Sequence, residues 1–229
     1  METLHGGLTL ELSDGAFPLS TDSVALGDFA KLPKNARVLD LGSGCGTLGL
    51  MLCGKDPACQ VTGIELDAAA HQMALQNSLR NNLGPRLTSI CEDLACIPQR
   101  MAPGSFQVCI SNPPYFTGGP SSKSVPLARK ESSGSLEVLF HSAAWALQFG
   151  GDFFLVHRPE RLAELCSRAV QSGLEPKRLR LLRHRQDGPV SLILMQCRKG
   201  GKPGLIWEEV SLQKPDGTFT DYYHTLYHE

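Results

Sequence analysis

The sequence of 229 residues predicts an α/β fold in which a mostly parallel, doubly wound sheet is covered by helices on both faces. The first observation is that, from residue 37 onward, short apolar runs rich in β-favouring residues alternate with longer amphipathic segments. This alternation is typical of strands and helices wound around a parallel sheet. The second observation is length, because a chain of this size can bury a full core as one large domain or as a domain with a small appendage.

The chain begins with a segment, residues 1–33, that we expect to form a hairpin and a helix packed on a core domain of residues 34–229. Residues 8–12 alternate apolar and polar side chains and are followed by the turn-favouring residues 13–15, which indicates the hairpin. Ser, Thr and Asp at 20–22 supply N-cap chemistry for the helix.

The core domain contains five predicted strands and four predicted helices before its final third. The strands are predicted at 37–41, 60–65, 86–91, 106–111 and 152–157. The helices are predicted at about 47–54, 67–82, 135–149 and 159–172. Residues 116–134 are rich in Ser, Gly and Lys, and loops of this length in compact domains are commonly functional or disordered.

The final third of the chain changes character. Residues 178–183 and 190–197 are two β-rich runs joined by a turn that is too short for a parallel crossover, so we expect them to pair antiparallel. A Gly, Lys and Pro segment follows at 199–204. The remaining tail, which contains three tyrosines, is predicted to form a strand and a short helix.

Charge is spread unevenly along the chain, although the net charge is only −1. Residues 1–30 hold five acidic side chains and no Lys or Arg, whereas residues 171–205 hold eight basic and two acidic side chains, a net charge of +6. The basic stretch is a candidate phosphate-facing surface, with Lys177 and Arg180 as candidate contacts. The alternative is an ordinary solvated edge, since Lys and Arg on an edge strand also oppose aggregation.

The eight cysteines form no Cys-x-x-Cys pair and no Cys/His cluster at zinc spacing, so we expect no metal site. Cys91, Cys109 and Cys197 fall in apolar runs, where a thiol behaves as a small core residue. The first residues lack the basic region and apolar core of a signal peptide, and no apolar run approaches the length of a membrane span. A reducing cytoplasm, without a membrane partner, is therefore the expected location.

A glycine-rich turn at 42–46 follows the first core strand and precedes a helix, where backbone N–H groups can approach a ligand closely. The glycine spacing over residues 44–49 also satisfies the dinucleotide fingerprint, with Glu65 at the distance of a ribose-binding acid. The sequence is therefore also compatible with a nicotinamide-dependent oxidoreductase. Asp40 favours another ligand, because a carboxylate ahead of the glycines would repel a pyrophosphate and suits a cationic ligand with an amino acid group, such as S-adenosylmethionine.

Acidic residues end three successive predicted strands, at Asp40, Glu65 and Asp93. The carboxylate of Glu65 can accept both hydroxyls of a ribose, and that of Asp93 can accept from an adenine amino group. Each carboxylate could instead cap a helix, which is the interpretation we favour for Asp67. Three acids at strand ends beside a glycine turn favour a nucleotide crevice outside the carboxyl ends of a doubly wound sheet.

The run Asn112-Pro113-Pro114-Tyr115 follows the fourth core strand. Two consecutive prolines fix φ, remove two backbone donors and keep the preceding residue extended. Such a loop presents acceptors to an N–H2 group, and Tyr115 adds a flat face that can stack a nucleobase, a contact worth about 1–3 kcal/mol. The alternative is a proline-stiffened turn with a half-buried tyrosine.

These residues resemble the class I S-adenosylmethionine-dependent methyltransferases that carry an Asn-Pro-Pro-Tyr motif and methylate exocyclic or amide nitrogens. Further stretches resemble the bacterial tRNA1(Val) adenine-N6 methyltransferase group, and together they cover nearly the whole chain. They are residues 19–24, the glycine turn, 111–116, 128–131, 156–162 and 198–204. The resemblance implies a Rossmann-like sheet of seven strands, mostly parallel, with an antiparallel last strand.

The resemblance implies that S-adenosylmethionine is the cofactor and that several strand ends hold it. Its ribose is expected at Glu65 and its adenine at Asp93. The residues expected to hold or border its methionyl portion are Thr21, Asp22, Asp40, Gly42, Gly44, Gly46 and Asn112.

The resemblance also implies that the Asn-Pro-Pro-Tyr loop binds the target amino group. Asn112 and the carbonyl of Pro113 are expected to accept its hydrogen bonds, on a loop that Pro114 stiffens. The residues expected to contact the rest of the substrate, by stacking or by charge, are Tyr115, Phe116, Arg129, Lys177 and Arg180.

The leading hypothesis is methylation of the N6 amino group of an adenine in tRNA, with the base extruded from its stack. The same chemistry could act on guanine N2 in RNA or on the N5 amide of a protein glutamine. Two other classes stay open, a NAD-dependent oxidoreductase and a cofactor-binding module that has lost catalysis and only recognises RNA. The sequence indicates no oligomeric state.

Overall fold

The computed structural model describes residues 2–12, 19–114 and 133–227. The turn predicted at 13–15 and most of the loop predicted at 116–134 lie outside these residues.

The described residues form ten β-strands and seven α-helices. The strands are β1 (Glu2–Thr3), β2 (Thr9–Leu10), β3 (Arg37–Leu41), β4 (Gln60–Glu65), β5 (Leu87–Cys91), β6 (Phe106–Ser111), β7 (Leu147–His157), β8 (Leu174–Arg185), β9 (Val190–Lys199) and β10 (Ile206–Gln213). The helices are α1 (Thr21–Phe29), α2 (Thr47–Lys55), α3 (Ala68–Arg80), α4 (Ile97–Arg100), α5 (Ser133–Ala146), α6 (Leu162–Gln171) and α7 (Asp221–Tyr227). None of these helices is long and apolar enough to cross a membrane.

The strands form two sheets. β1 and β2 pair antiparallel, and the other eight strands form one sheet in the order β10-β8-β9-β7-β6-β3-β4-β5. Within the described part of the chain, β9 is the one antiparallel strand of the large sheet, since it runs against both β7 and β8. The predicted mostly parallel, doubly wound sheet is confirmed.

Two details of the topology differ from the prediction. The large sheet has eight strands instead of seven, and the last strand of the chain, β10, pairs parallel with β8. The reason lies in the connection at residues 200–205. It leads from the end of β9, which lies beside the start of β8, to the outer side of β8, where β10 begins and runs in the same direction as β8. In the N-terminal segment, β2 pairs with β1, which precedes it along the chain.

The carboxyl ends of the parallel strands lie along one edge of the sheet, which we call the carboxyl edge. Leu41 of β3 is in register with Ile64 of β4, and Ser111 of β6 with Leu155 of β7. The hydroxyl of Ser111 donates to the carbonyl of Leu41 at 2.7 Å and ties the ends of β3 and β6 together. Residues that follow these strands therefore emerge side by side at the carboxyl edge.

Successive side chains of the central strands enter two hydrophobic layers, one on each face of the sheet. On the face covered by α1 and α2, Phe29 meets Phe154 edge to face, with ring centroids 6.0 Å apart. On the face covered by α5 and α6, Phe140 meets Phe153 in the same way at 5.4 Å. β7 is therefore buried on both faces, as expected for an interior strand of a parallel sheet.

The basic stretch of the sequence is largely engaged in contacts within the protein. The guanidinium of Arg180, on β8, pairs with Asp28 of α1 at 2.9 Å and with Glu208 of β10 at 2.8 Å, and the Arg180 side chain is only 15% exposed. The neighbouring Arg178 pairs with Glu208 at 2.8 Å and lies 3.9 Å from the centre of the Phe29 ring. These contacts join α1 to the two outermost strands on that side of the sheet.

Seven of the eight basic side chains between 171 and 205 have partners within the protein. The five besides Arg178 and Arg180 are Lys177, Arg183, Arg185, Arg198 and Lys199. Lys177 donates to the carbonyl of Lys202 at 2.8 Å, and Lys202 lies beyond the end of β9, at the opposite edge of the sheet from the carboxyl edge. The structure therefore gives Lys177 and Arg180 partners within the protein, and the phosphate contacts expected from the sequence stay predictions.

Arg180→Ala is expected to lower the free energy of unfolding by about 2–4 kcal/mol, because it removes the ion-pair partner of the partly buried Asp28 and leaves Glu208 with Arg178 alone. Urea denaturation measures this change. Arg185→Ala is a matched control on the same strand, since the Arg185 and Asp187 side chains are 47% and 52% exposed. Such pairs contribute about 0–1 kcal/mol. Equal losses in the two variants would contradict a structural role for Arg180.

Candidate functional site

Three glycines after β3 hold the backbone in a conformation that other residues avoid. Gly42, Gly44 and Gly46 have φ values of 73°, 55° and 84°, in the left-handed region where a Cβ is strained. A Cβ on Gly42 or Gly44 would meet no described atom within 4 Å, so this turn borders open space. Gly46 leads into α2 without a side-chain cap, which leaves the first-turn N–H groups of that helix without a side-chain acceptor.

Asp40 lies in β3 just before this turn and is 1% exposed. Neither of its carboxyl oxygens has a hydrogen-bond partner among the described residues. Burial, reinforced by the nearby charge of Glu65, raises the pKa of Asp40 from 3.8 to about 8. Burying a carboxyl group without a partner is costly, and a cationic N–H donor would offset that cost. The buried carboxyl group of Asp40 therefore suits a ligand with an ammonium group, such as S-adenosylmethionine.

Glu65 ends β4 and holds the glycine turn in place. Its Oε2 accepts a hydrogen bond from the backbone N–H of Gly44 at 2.8 Å, and its Oε1 accepts from the N–H of Asp67 at 2.8 Å. A carboxylate has about four acceptor positions, so these two bonds leave capacity for the hydroxyls of a ribose. The ribose role of Glu65 stays a prediction.

Asp67 and Asp93 both cap helices. Asp67 accepts from the N–H of Ala70 at the start of α3, which confirms the interpretation favoured from the sequence. Asp93 follows β5 and accepts from the N–H of Ala95, at the start of a single helical turn. The capping alternative therefore holds for Asp93 as well, and its predicted contact with an adenine would use its remaining acceptor capacity.

Asn112, Pro113 and Pro114 follow β6 at the carboxyl edge, and all three are half-buried. The side-chain amide nitrogen of Asn112 donates to the hydroxyl of Ser23 at 3.0 Å. Because β6 is tied to the end of β3, this loop emerges beside the turn that follows Asp40. The other residues expected at this loop lie outside the described residues, and they are Tyr115, Phe116 and Arg129.

The first turn of α1 lies next to Asn112. Ser20 caps this helix by accepting from the N–H of Ser23 at 3.4 Å. The hydroxyl of Thr21 lies 2.9 Å from that of Tyr227, so it links α1 to the last helix of the chain. Asp22 is half-buried in the same turn, and the predicted cofactor contacts of Thr21 and Asp22 stay predictions.

Two residues at this edge were not singled out from the sequence. Ser23 is 9% exposed and contacts Asn112, from which it is separated by 89 residues, so no local pattern could have joined the two. Leu66 is 64% exposed between two acidic residues at the end of β4. An exposed leucine at a strand end could have been noticed in the sequence, and it offers apolar surface at the mouth of the crevice.

The structure thus brings the glycine turn, Asp40, Glu65 and the Asn112 loop together at the carboxyl edge, whereas Lys177 and Arg180 have partners elsewhere. No group of three or more His, Cys, Asp or Glu side chains within the described ranges is arranged to hold a metal ion. The arrangement can hold a cationic nucleotide-like ligand and present amide and carbonyl oxygens to an N–H2 group beside it.

Comparison with known proteins gives concordant results. A family model described as the methyltransferase small domain matches residues 23–169. The tRNA1(Val) (adenine(37)-N6)-methyltransferase of Shewanella halifaxensis is 36% identical over 173 residues, covering 70% of this chain and 70% of that protein. The enzyme of the same name from Bacteroides fragilis strain ATCC 25285 is 30% identical over 177 residues, covering 76% and 74%.

Solved structures share the fold at low sequence identity. A crystal structure described as a predicted O-methyltransferase from Agrobacterium tumefaciens superposes with a TM-score of 0.76 at 19% identity, covering 91% of this chain and 96% of that one. TrmN from Thermus thermophilus gives a TM-score of 0.57 at 22% identity, covering 77% and 48%. Because the family model spans well over half of the chain and the sequence relatives reach 30% identity or more across over two thirds of it, the chain belongs to the methyltransferase small domain family and is an S-adenosylmethionine-dependent methyltransferase.

Proposed function

We propose that this methyltransferase acts on the N6 amino group of an adenine in tRNA. The observation that carries the proposal is the position of Asn112, Pro113 and Pro114 at the carboxyl edge, beside the turn that follows Asp40. The relatives described above are named for the same reaction on tRNA1(Val).

When bound, S-adenosylmethionine supplies a methyl group attached to a positively charged sulfur. In the proposal, the carboxylate of Asp40 holds the ammonium group of the cofactor, and the turn of Gly42 and Gly44 lets the backbone approach it closely. Glu65 holds the ribose and also keeps the turn in shape through its bond from the N–H of Gly44. Asp93 is assigned to the adenine, and Thr21 and Asp22 border the methionyl portion.

The chemical task of the Asn112 loop is to orient a poor nucleophile. The lone pair of an aryl amine is delocalised into its ring, so the nitrogen attacks readily only when its geometry is changed. Asn112 Oδ1 and the carbonyl oxygen of Pro113 would each accept one N–H of the amine, and the lone pair would then point toward the methyl group. Positioning and electrostatics are sufficient for the attack, and the methylated nitrogen, which becomes cationic and strongly acidic, would then release one proton to water without a general base of shifted pKa.

The tRNA has to offer an unstacked base to this loop. In the proposal, Tyr115 and Phe116 stack the extruded adenine and Arg129 contacts the RNA backbone. Lys177 and Arg180 also have partners within the protein, and their contacts with tRNA phosphates stay predictions. The proposed place of action is the cytoplasm, where tRNA is modified.

The same loop could hold guanine N2 or a glutamine amide, and the names of the relatives favour adenine. A NAD-dependent oxidoreductase is disfavoured, because the matching family model and the relatives are those of methyltransferases.

We expect the protein to transfer a methyl group from S-adenosylmethionine to an unmodified tRNA1(Val) transcript and to yield N6-methyladenosine, as measured by mass spectrometry of the nucleosides. A transcript in which adenine 37 is replaced by guanine is the matched control and is expected to receive no methyl group. Methylguanosine, or label in protein, would assign one of the other acceptors. Bound cofactor without any transfer would instead identify a binding module.

Asn112→Ala is expected to lower kcat about 100-fold or more while the dissociation constant of S-adenosylmethionine stays within about threefold, because Asn112 acts on the amine. Asp40→Ala is expected to lose both cofactor binding and turnover. Calorimetric titration and single-turnover kinetics measure the two effects. Full turnover in Asn112→Ala would remove the loop from the mechanism.

The raised pKa of Asp40 predicts a pH-dependent stability for the ligand-free protein. Between pH 3.8 and about 8, folded Asp40 keeps a proton that the unfolded chain loses, so this group lowers the free energy of unfolding as pH rises. Asp40→Asn cannot ionise and is expected to be more stable than the wild type at pH 8, by a few kcal/mol at about 1.4 kcal/mol per unit of pKa shift. The difference should shrink toward pH 4.

Urea unfolding of the ligand-free protein at a series of pH values measures this difference. Parallel stability curves for Asp40→Asn and the wild type would mean that Asp40 is ionised in the ligand-free fold.

A further inference from the structure

We propose that Ser23 is a positioning residue for Asn112, which holds the Asn112 amide so that its oxygen accepts a hydrogen bond from the target amine. This inference rests on the proposed function, in which Asn112 binds that amine. Ser23 itself touches neither the amine nor the methyl group in this scheme and acts only through Asn112.

The contact joins two distant parts of the chain. The Asn112 amide nitrogen donates to the Ser23 hydroxyl at 3.0 Å, across 89 residues of sequence. Ser23 is 9% exposed and Asn112 is half-buried, so water has limited access to the bond. A hydrogen bond in such surroundings restrains the amide more than an exposed one would.

The orientation of the amide matters because its two ends have opposite hydrogen-bonding character. The oxygen is an acceptor and the nitrogen carries two donors, although the two atoms are similar in size. A target amine brings N–H donors and therefore needs the oxygen. If the Asn112 amide were rotated by 180° about its last side-chain bond, its N–H groups would face the N–H groups of the target amine and would repel the substrate. In the structure the Asn112 nitrogen donates to Ser23, so the oxygen is the end of the amide that this proposal assigns to the amine.

Ser23 can carry out this role because its own position is fixed. Its backbone N–H donates to the hydroxyl of Ser20 in the helix cap, and α1 is fastened to the sheet through Phe29 and through the ion pair of Asp28 with Arg180. The Ser23 hydroxyl thus belongs to the rigid scaffold, whereas Asn112 begins a loop. The fixed Ser23 hydroxyl therefore orients the Asn112 amide, and the loop itself does not have to be rigid for this purpose.

Ser23→Ala is expected to lower kcat about three- to tenfold on tRNA, the range that loss of one neutral hydrogen bond gives. The dissociation constant of S-adenosylmethionine should not change, since in this proposal Ser23 acts only on Asn112. Ser23→Thr keeps a hydroxyl at the same position and should restore most of the activity. An unchanged kcat in Ser23→Ala would overturn the inference.

Ser78→Ala is the matched control for loss of a buried helical hydroxyl. Ser78 is 2% exposed in α3, and its hydroxyl donates to the carbonyl of Leu87 at 2.6 Å. This variant should lose stability but keep kcat. If both serine variants lower kcat in proportion to their melting temperature, the effect of Ser23 is structural and the inference fails.

A double-mutant cycle separates action through Asn112 from any other action. In an Asn112→Ala background, Ser23→Ala should cause no further loss of kcat, because the amide that it positions is already absent. A loss of the same size in both backgrounds would contradict the inference.

Nuclear magnetic resonance tests the contact without relying on turnover. The side-chain amide signals of Asn112, assigned by their disappearance in Asn112→Ala, should shift in Ser23→Ala and stay near their wild-type positions in Ser23→Thr and Ser78→Ala. Signals that do not move in Ser23→Ala would overturn the inference even if the wild type proved inactive on tRNA. Wild-type inactivity would count against the proposed function alone.

Discussion

A buried carboxyl group that has no hydrogen-bond partner in the described part of the chain, that of Asp40, is the feature on which the rest of the site depends. The fold tolerates it because strong hydrophobic packing on both faces of the sheet outweighs a local cost of a few kcal/mol. The residues around Asp40 leave room for a ligand next to its carboxyl group. The glycine turn leaves open space next to it, and Glu65 holds that turn in shape through the N–H of Gly44. Stability given up at one position in this way is common at ligand sites.

Features encoded by neighbouring residues could be predicted from the sequence. β4 and β6 begin and end where they were predicted, because their apolar runs are bounded by clear turn signals. The glycine turn and the Asn112 loop were also identified, because each is a short motif with a direct chemical meaning. β7 begins at Leu147, five residues earlier than predicted, since Leu147 already pairs with Phe106 across an irregular stretch that contains two glycines.

Features that depend on distant residues could not be predicted. The acidic N-terminal segment and the basic stretch at 171–205 were each interpreted alone, the second as a surface for phosphate. In the structure they are partly each other's partners, because Asp28 pairs with Arg180 across 152 residues. Uneven charge along a sequence can thus reflect pairing within the fold as well as binding to a partner. The contact of Ser23 with Asn112 was hidden for the same reason, since only the folded chain brings the two together.

These long-range contacts also connect the basic stretch to the carboxyl edge of the sheet through α1. α1 carries Ser23 in its first turn and Asp28 and Phe29 at its end, where Arg180 and Arg178 hold it against the sheet. A shift of this end of the helix would move the Ser23 hydroxyl, because a nine-residue helix behaves as a rigid rod. The arginines therefore help to hold the Ser23 hydroxyl next to Asn112, and the contact between these two side chains depends on ion pairs at the far end of that helix.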